Sequence, residues 1–345
     1  MFSVKRERKY DVLGIGEVML RLSPVGKERV SHSATFEKQA GGSEFNVVSG
    51  ISMLGMKTGI ITKIPENDIG KFAKRRLRYA GTDDALTFYD SSPDARLGIY
   101  YYESGAYPRL PSVFYDRKRS SFTTLTSAEI PGWVYSSSCV FHTSGITLAL
   151  CESTRETVIG MMHRFKEEGT IISFDVNYRA SLWGEEEART AILRVLPLTE
   201  VLFVSEETLR RMLRMTGALK DIQREIAKEY KNLKVIASTK RRVLSPGKHS
   251  FSSLIYDATE GRHFEDAPYE NIDVVDRIGS GDAYVAGALY ALLEHGSIEE
   301  MARYGDAMAA LKNTIIGDTT ECDITDIRRI IRNHAGEGPA SEMMR

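Results

Sequence analysis

The segment Asp273-Val-Val-Asp-Arg-Ile-Gly-Ser-Gly-Asp-Ala-Tyr-Val-Ala-Gly-Ala-Leu289 constrains this chain more than any other. It reads as an apolar strand that breaks at Gly279-Ser280-Gly281 and restarts as a helix at Asp282. A glycine-rich turn that opens a helix leaves backbone N–H groups unpaired, with the positive end of the helix dipole behind them. Such a turn is a ready anion site. A carboxylate beside it repels what the amides attract, so Asp282 needs an explanation. Two readings stay open locally. Asp282 is an N-cap for the helix, or it is a general base that takes a proton from an attacking hydroxyl while the amides hold a transferring phosphoryl group.

What surrounds this turn is an alternation of strand and helix. Asp11–Leu22 reads as one buried strand running past Gly14 and Gly16, followed by a helix over 47–54 that Gly55 closes. Thr58–Thr62, Cys139–Thr143, Thr170–Asp175, Val201–Val204 and Val235–Ser238 read as further strands. Helices are expected over 67–80, 152–168, 206–215, 283–293 and 301–312. This order predicts a mostly parallel sheet covered on both faces. Leu97–Leu125 interrupts the rhythm with Tyr100-Tyr101-Tyr102 and Val113-Phe114-Tyr115, two aromatic strands with Pro108 and Pro111 between them. They predict a small sheet projecting from the main body, either an edge hairpin or a lid.

With 345 residues, 42% of them hydrophobic, the chain can bury a large core. A net charge of −1 gives no global field for nucleic acid or an acidic membrane. Cys139, Cys151 and Cys322 lie far apart without metal spacing, which suits a reduced cytoplasmic protein. The charged start, Met1–Tyr10, does not read as a signal peptide, and no run approaches the roughly 18 apolar residues of a membrane span. Gly14-Ile-Gly16 lacks the third glycine of a dinucleotide fingerprint, and Gly50–Thr58 is one residue off a P-loop in the wrong context.

Other polar groups fall where open α/β sheets place ligands. Gly41-Gly42 precede a helix and let a ligand approach the backbone, while Asn46 on the first turn can donate to and accept from a hydroxylated ligand. Asp175, Asn177 and Arg179 follow a strand end. Arg117, directly after the second aromatic strand, would suit a carboxylate-bearing ligand.

With these residues in view, the chain resembles the ribokinase-like (PfkB) sugar kinases from about Asp11 to Ile331. Gly41-Gly42-Ser43-Glu44-Phe45-Asn46 and Asp276-Arg-Ile-Gly-Ser-Gly-Asp282 carry the resemblance, in the family's order. Within the family the chain is most similar to the 2-keto-3-deoxygluconate kinases. That narrower likeness rests on Gly16–Pro24, Tyr115-Asp-Arg117, Phe174–Arg179 with Trp183, and Leu311–Asp318. The resemblance implies a three-layer α/β/α sandwich over 1–335, with a mostly parallel central sheet and a small projecting β-sheet lid. The lid would be inserted as segments 20–40 and 94–125, and 336–345 would be a flexible tail.

The resemblance also implies site roles. Asp282 would activate the sugar hydroxyl, and Gly279, Ser280 and Gly281 would stabilise the transferred phosphoryl group. Gly41, Gly42 and Asn46 would hold sugar hydroxyls; Tyr100, Tyr115, Arg117 and Arg179 would meet the rest of the substrate and its carboxylate. ATP would lie against Ser205, Thr239, Arg241, Gly279, Gly281 and Asn313, magnesium near Glu206 and Glu207, and a monovalent cation such as K+ at Asp276 and Ile278. The chain departs from the family at Arg277, usually a small or hydroxylated residue; at Ser121, often an alanine; at Ser205–Thr208, usually Asn-x-x-Glu; and at Thr239-Lys240-Arg241, which lacks the glycine of Thr-x-Gly. Expected is an ATP-dependent kinase acting on the terminal hydroxyl of a sugar acid such as 2-keto-3-deoxygluconate, forming a homodimer or higher homo-oligomer through the lid. The rivals are a kinase of a neutral sugar such as fructose or ribose, and a sugar-binding protein without catalysis. Arg117 and Arg179 discriminate, because two guanidinium groups converging in a pocket need an anion.

Overall fold

The long apolar runs have to be buried on both faces, and the sheet they form is mostly parallel. The computed structural model describes residues 7–245 and 247–337, so the expected tail lies almost wholly outside the described residues, as does most of the charged start. In chain order the strands are β1 (Tyr10–Ile15), β2 (Met19–Pro24), β3 (Phe36–Gly41), β4 (Thr58–Pro65), β5 (Thr87–Asp90), β6 (Ile99–Glu103), β7 (Ser112–Asp116), β8 (Ser138–Ser144), β9 (Ile171–Asp175), β10 (Val201–Phe203), β11 (Val235–Ser245), β12 (Lys248–Asp257), β13 (Arg262–Glu265) and β14 (Tyr269–Asp273). The α-helices are α1 (Ser43–Met53), α2 (Asp68–Tyr79), α3 (Gly145–Leu148), α4 (Glu152–Glu167), α5 (Glu185–Val195), α6 (Glu206–Met212), α7 (Leu219–Glu229), α8 (Ser280–Glu294), α9 (Ile298–Asn313) and α10 (Ile324–His334).

The ten-stranded sheet runs β13-β12-β11-β10-β9-β8-β1-β4-β5, with β14 also on β12. From β11 to β5 every pairing is parallel; β12 meets β11, β13 and β14 antiparallel. One core, under α1, α8 and α9, joins Val12, Val48, Ile60, Val140, Leu289 and Met308. The opposite core, under α4, α5 and α7, joins Leu13, Phe141, Phe165, Phe174, Ile192 and Ile222. Helices cover both faces. None of the described helices is long and apolar enough to cross a membrane.

The small sheet has four strands, β3-β2-β6-β7. Here the single strand expected over 11–22 is corrected: it is two strands, broken at Gly16-Glu17-Val18, and the second belongs to the small sheet. The cause is a long-range contact. A Cβ on Gly16 would lie 2.2 Å from Glu44 Oε2, so the chain passes hard against α1 and leaves the main sheet there. The first helix starts at Ser43 rather than near Val47, with Gly42 before it at φ 142° and a Cβ there only 2.2 Å from the Glu17 carbonyl. The segment 274–278 is likewise not a strand. β14 ends at Asp273, and the amides of Val275 and Asp276 turn away to the Asn313 carbonyl, at 2.8 and 3.1 Å.

Candidate active site

α8 begins at Ser280, two residues before the position expected from sequence, with Gly279 as its N-cap. Gly279 has φ 81°, and a Cβ on it would fall 2.0 Å from the Asp318 carbonyl oxygen. Only glycine meets both conditions. Among the described residues no backbone carbonyl accepts from the amides of Gly279, Gly281 or Asp282. Three unpaired N–H groups at a helix N-terminus form the anion site that the glycines announce.

Asp282 is the third residue of α8 and makes no cap bond. Its carboxylate instead reaches α1, accepting from Ser43 Oγ at 2.9 Å and Asn46 Nδ2 at 2.7 Å. Asn177 Nδ2 donates to Ser43 Oγ at 3.0 Å, so the loop after β9 joins the same network. Burial pushes Asp282 up to about 6, against the downward pull of Asn46, Ser43 and Arg179. Asp175, ending β9, rises to about 7 through burial, helped by the Asp282 charge. Burial also raises Glu44, whose carboxylate accepts from Ser144 N at 2.8 Å and from Ser144 Oγ and Thr147 Oγ at 2.7 Å each. Asp282 and Asp175 thus gain a proton near neutral pH, the range in which a base can both take and release one.

Behind the turn, Arg21 of β2 bridges Asp276 at 2.5 Å and Asp318 at 2.8 Å. The Tyr100 hydroxyl donates to the other oxygen of Asp318. Burial lowers the affinity of Arg21 for its proton, but Asp318 and Asp276 more than reverse this and hold it charged. Gly41 faces the same group, since a Cβ on it would lie 2.3 Å from Asp318 Oδ2 and 2.6 Å from the Tyr100 hydroxyl. Tyr100 is therefore bonded into the floor, while Tyr115, whose ring centroid is 5.7 Å from that of Tyr100, lies in the fields of Arg179, Arg117, Asp318 and Asp282.

Arg117 is not an open cation. It is buried, and its guanidinium donates through Nε at 2.9 Å and through Nη2 to one oxygen of Glu17. Arg179 is different: it is exposed, and its hydrogen bond runs to the Tyr178 carbonyl at 3.1 Å. Arg241 is held below the ordinary arginine value by burial and then by Arg277 and Arg179. Among the described residues no carboxylate pairs with Arg179, Arg241 or Arg277. Arg277 and Arg179 repel Arg241, and the three guanidinium groups leave a positive surface of the kind that suits anions.

The remaining positions have local partners. Ser205 caps α6 by accepting from the Thr208 amide, and Glu206 and Glu207 pair with Arg210 and Arg211 at 2.6 and 2.7 Å. Thr239 sits on β11 opposite Ser253. Asn313 Nδ2 donates to the Ala309 carbonyl at 2.8 Å, while its Oδ1 is buried without a partner. The Ile278 amide donates to Asp276 Oδ1 at 3.0 Å.

Sequence reasoning assigned no role to Arg21, Glu17, Glu44, Ser43 or Lys312. Arg21 and Glu17 had a signal, because a charge inside an apolar strand run has to be paired somewhere. Ser43 and Glu44 stood inside a quoted motif but offered nothing that named their partners.

A family model described as pfkB family carbohydrate kinase matches residues 9–324. The 2-dehydro-3-deoxygalactonokinase of Haloferax volcanii is 32% identical over 322 residues, 93% of this chain and 96% of that protein. Among solved structures, a PfkB family carbohydrate kinase from Listeria grayi aligns with a TM-score of 0.87 at 33% identity, covering 94% of this chain and 99% of the other. The 2-dehydro-3-deoxygluconokinase of Thermotoga maritima aligns with a TM-score of 0.88 at 29% identity, over 93% and 97% of the two chains. The matched stretch takes in the glycine turn, the two-glycine loop and every strand of both sheets, and the chain belongs to the pfkB family of carbohydrate kinases.

Proposed function

We propose that this carbohydrate kinase transfers the γ-phosphoryl group of ATP to the terminal hydroxyl of a 2-keto-3-deoxy sugar acid. The observation that carries the reading is Asp282: a recessed carboxylate raised toward neutrality, bonded to Ser43 and Asn46, one residue from a row of unpaired helix amides. A sugar hydroxyl displacing either donor lies against the base on one side and the phosphoryl site on the other. Asp282 takes the proton of the sugar hydroxyl as the hydroxyl oxygen attacks the γ-phosphorus; the bond from that phosphorus to the β-phosphate oxygen breaks and ADP leaves, while the amides of Gly279, Gly281 and Asp282 hold the equatorial oxygens. Arg241 and Arg277 neutralise the remaining phosphate charge, in place of the family residues replaced at Ser205–Thr208 and Thr239–Arg241.

Magnesium enters as MgATP. Among the described residues no three His, Cys, Asp or Glu side chains gather into a metal cage, and phosphate-bound magnesium needs only one or two protein carboxylates. The choice of a sugar acid rests on Arg179, because Arg117 is neutralised by Glu17. Arg179 lies within the fields of Asp282 and Tyr115 and has no carboxylate of its own. The names of the Haloferax and Thermotoga relatives point the same way. The small sheet then acts as the lid, with Tyr115 turned toward the substrate and Tyr100 bonded to Asp318 beneath it. Its outer strand β7 is exposed along its whole length, and we read that edge as the surface that pairs two copies; sedimentation of the native chain at one species of monomer mass would exclude this.

The test is ADP release over a panel of keto-deoxy sugar acids, fructose and ribose, with MgATP. The expected outcome is a kcat/KM for one keto-deoxy acid at least roughly 100-fold above either neutral sugar. Equal turnover of fructose or ribose would remove the sugar-acid reading. No ADP release with any of them would remove the kinase reading for this chain.

A further inference from the structure

Lys312, in the last turn of α9, is 0% exposed, and the proposed chemistry does not touch it. Its Nζ donates to the carbonyl oxygens of Asp276 at 3.1 Å and Ile315 at 3.0 Å. Among the described residues no carboxylate pairs directly with it. The nearest acids are already engaged. Asp276 accepts from Arg21 at 2.5 Å and from the Gly317 and Ile278 amides at 3.0 Å each, and Asp318 is held by Arg21 and Tyr100. A buried ammonium held by backbone carbonyls alone is an unusual arrangement, because a lysine taken out of water normally meets an acid.

The two carbonyls are not incidental. Asp276 lies three residues before Gly279, and Ile315 lies just past the end of α9. The Asn313 carbonyl accepts from the Val275 and Asp276 amides, so the loop entering the glycine turn is fastened to the end of α9 in both directions. Gly279 then packs on the backbone of Asp318. Converging carbonyl oxygens behind an anion-binding turn present the chemistry that coordinates a dehydrated monovalent cation. The resemblance placed such an ion at Asp276 and Ile278. The donor set here does not fit one: the Asp276 carbonyl is taken by an ammonium, and an entering ion would have to displace a buried like charge.

We propose that the Lys312 ammonium is the resident cation of this site, holding the Asp276–Gly279 backbone so that the α8 amides face the phosphates, and that the chain neither binds nor needs K+. Lys312 is a positioning residue, acting through the turn rather than on the substrate. Burial holds its proton affinity below the ordinary lysine value, and the charges of Asp276 and Asp318 pull the other way without either carboxylate bonding to it. The inference deepens the phosphoryl-transfer reading and rests on it, but ion occupancy can be measured apart from catalysis.

The experiment compares the wild type, Lys312→Ala and Lys312→Met in tetramethylammonium, sodium, potassium and ammonium chloride. Melting temperature reports ion binding, and ADP release reports turnover. The wild type should show the same kcat and the same melting temperature in all four salts. Lys312→Ala should lose roughly 10- to 100-fold in kcat in tetramethylammonium, less than the loss from deleting an oxyanion donor outright. K+ or ammonium should restore it saturably and raise its melting temperature over the same concentration range. Lys312→Met fills the space without charge and should be equally slow and not rescued. Several-fold K+ activation of the wild type would overturn the proposal, as would full turnover of a folded Lys312→Ala without added ions. If neither variant folds, the salt comparison on the wild type decides. If no salt supports ADP release, the kinase reading has failed, and the ion-selective melting of Lys312→Ala still settles which cation the site holds.

Discussion

Asp282→Asn separates a catalytic carboxylate from a structural one, because the two roles move stability in opposite directions. Folding takes the Asp282 carboxyl from 3.8 to about 6, mainly by burial. Its folded value is raised, so the native state holds the proton more tightly than the unfolded chain. The stability this contributes is present in full below about pH 4 and is lost as the pH rises through about 6. Two units and a little, at about 1.4 kcal/mol each, make the ionised carboxylate a burden of about 3 kcal/mol at neutral pH. The amide of D282N can still meet Ser43 and Asn46, carries no charge, and removes that burden. At roughly 0.7 kcal/mol per degree for a chain of this length, Tm at pH 7.5 should rise by about 2–4 °C. Turnover should fall by roughly 10²–10⁴, while MgATP binding by calorimetry stays close to wild type. In the wild type, log kcat/KM should fall with unit slope below about pH 6, a loss of about tenfold between pH 7 and pH 5. Near-normal turnover of D282N would refute the base. Lost turnover with a lowered Tm would refute the electrostatic account of how the base is prepared.

Arg179→Ala should raise KM for the keto-deoxy acid by roughly 10- to 100-fold, the range of a lost charge-assisted hydrogen bond, and leave a neutral sugar unchanged. Equal losses for both would argue against carboxylate recognition. Arg21→Met leaves Asp276 and Asp318 buried without their shared cation and should cost about 3–5 kcal/mol in urea unfolding; a loss below about 1 kcal/mol would mean the acids find other partners. Gly279→Ala forces a side chain to φ 81° and into the Asp318 carbonyl, so the turn must shift and kcat should drop by roughly 10² or more. A fully active Gly279→Ala enzyme would mean the amides need not face the phosphates as placed here.

What was legible in the sequence was what depends on neighbours along the chain. The glycines at 279–281 showed a turn that opens a helix, because their meaning is set by backbone conformation. Tyr100-Tyr101-Tyr102 and Val113-Phe114-Tyr115 showed two strands, because alternation and β-propensity act locally. What was not legible depends on partners far away. Arg117 read as an open cation because Glu17, its partner, lies 100 residues earlier. The strand over 11–22 read as one because Glu44, which packs against Gly16 where the strand breaks, belongs to another element. The start of α8 was placed two residues late, since Gly279 enters the helix from the left-handed region and lets Ser280 be its first residue. A charge within an apolar run, as at Arg21, states that a partner exists but not which one.

On the proposed reading, the charges divide into two populations with different tasks. Below the cleft, Arg21 meets Asp276 and Asp318, Lys312 sits behind the turn, and Arg117 meets Glu17, so Asp276, Asp318 and Glu17 are balanced by cations the protein supplies itself. Across the cleft, Arg179, Arg241 and Arg277 remain unbalanced by any protein carboxylate. A chain with a net charge of −1 therefore concentrates an excess of positive charge at one place without a global field to attract anions elsewhere. Within that place the anions sort by distance from Asp282. Arg179 lowers the Asp282 value, so it stands near enough for a sugar carboxylate bound there to bring the far end of the same molecule toward the base. Arg241 feels Arg277 more strongly than Arg179, which puts that pair together on the phosphate side. Removing one member of either population should then have different consequences. Loss of an internal cation strands an acid and lowers stability, whereas loss of a cleft cation relieves repulsion and lowers only affinity for its anion.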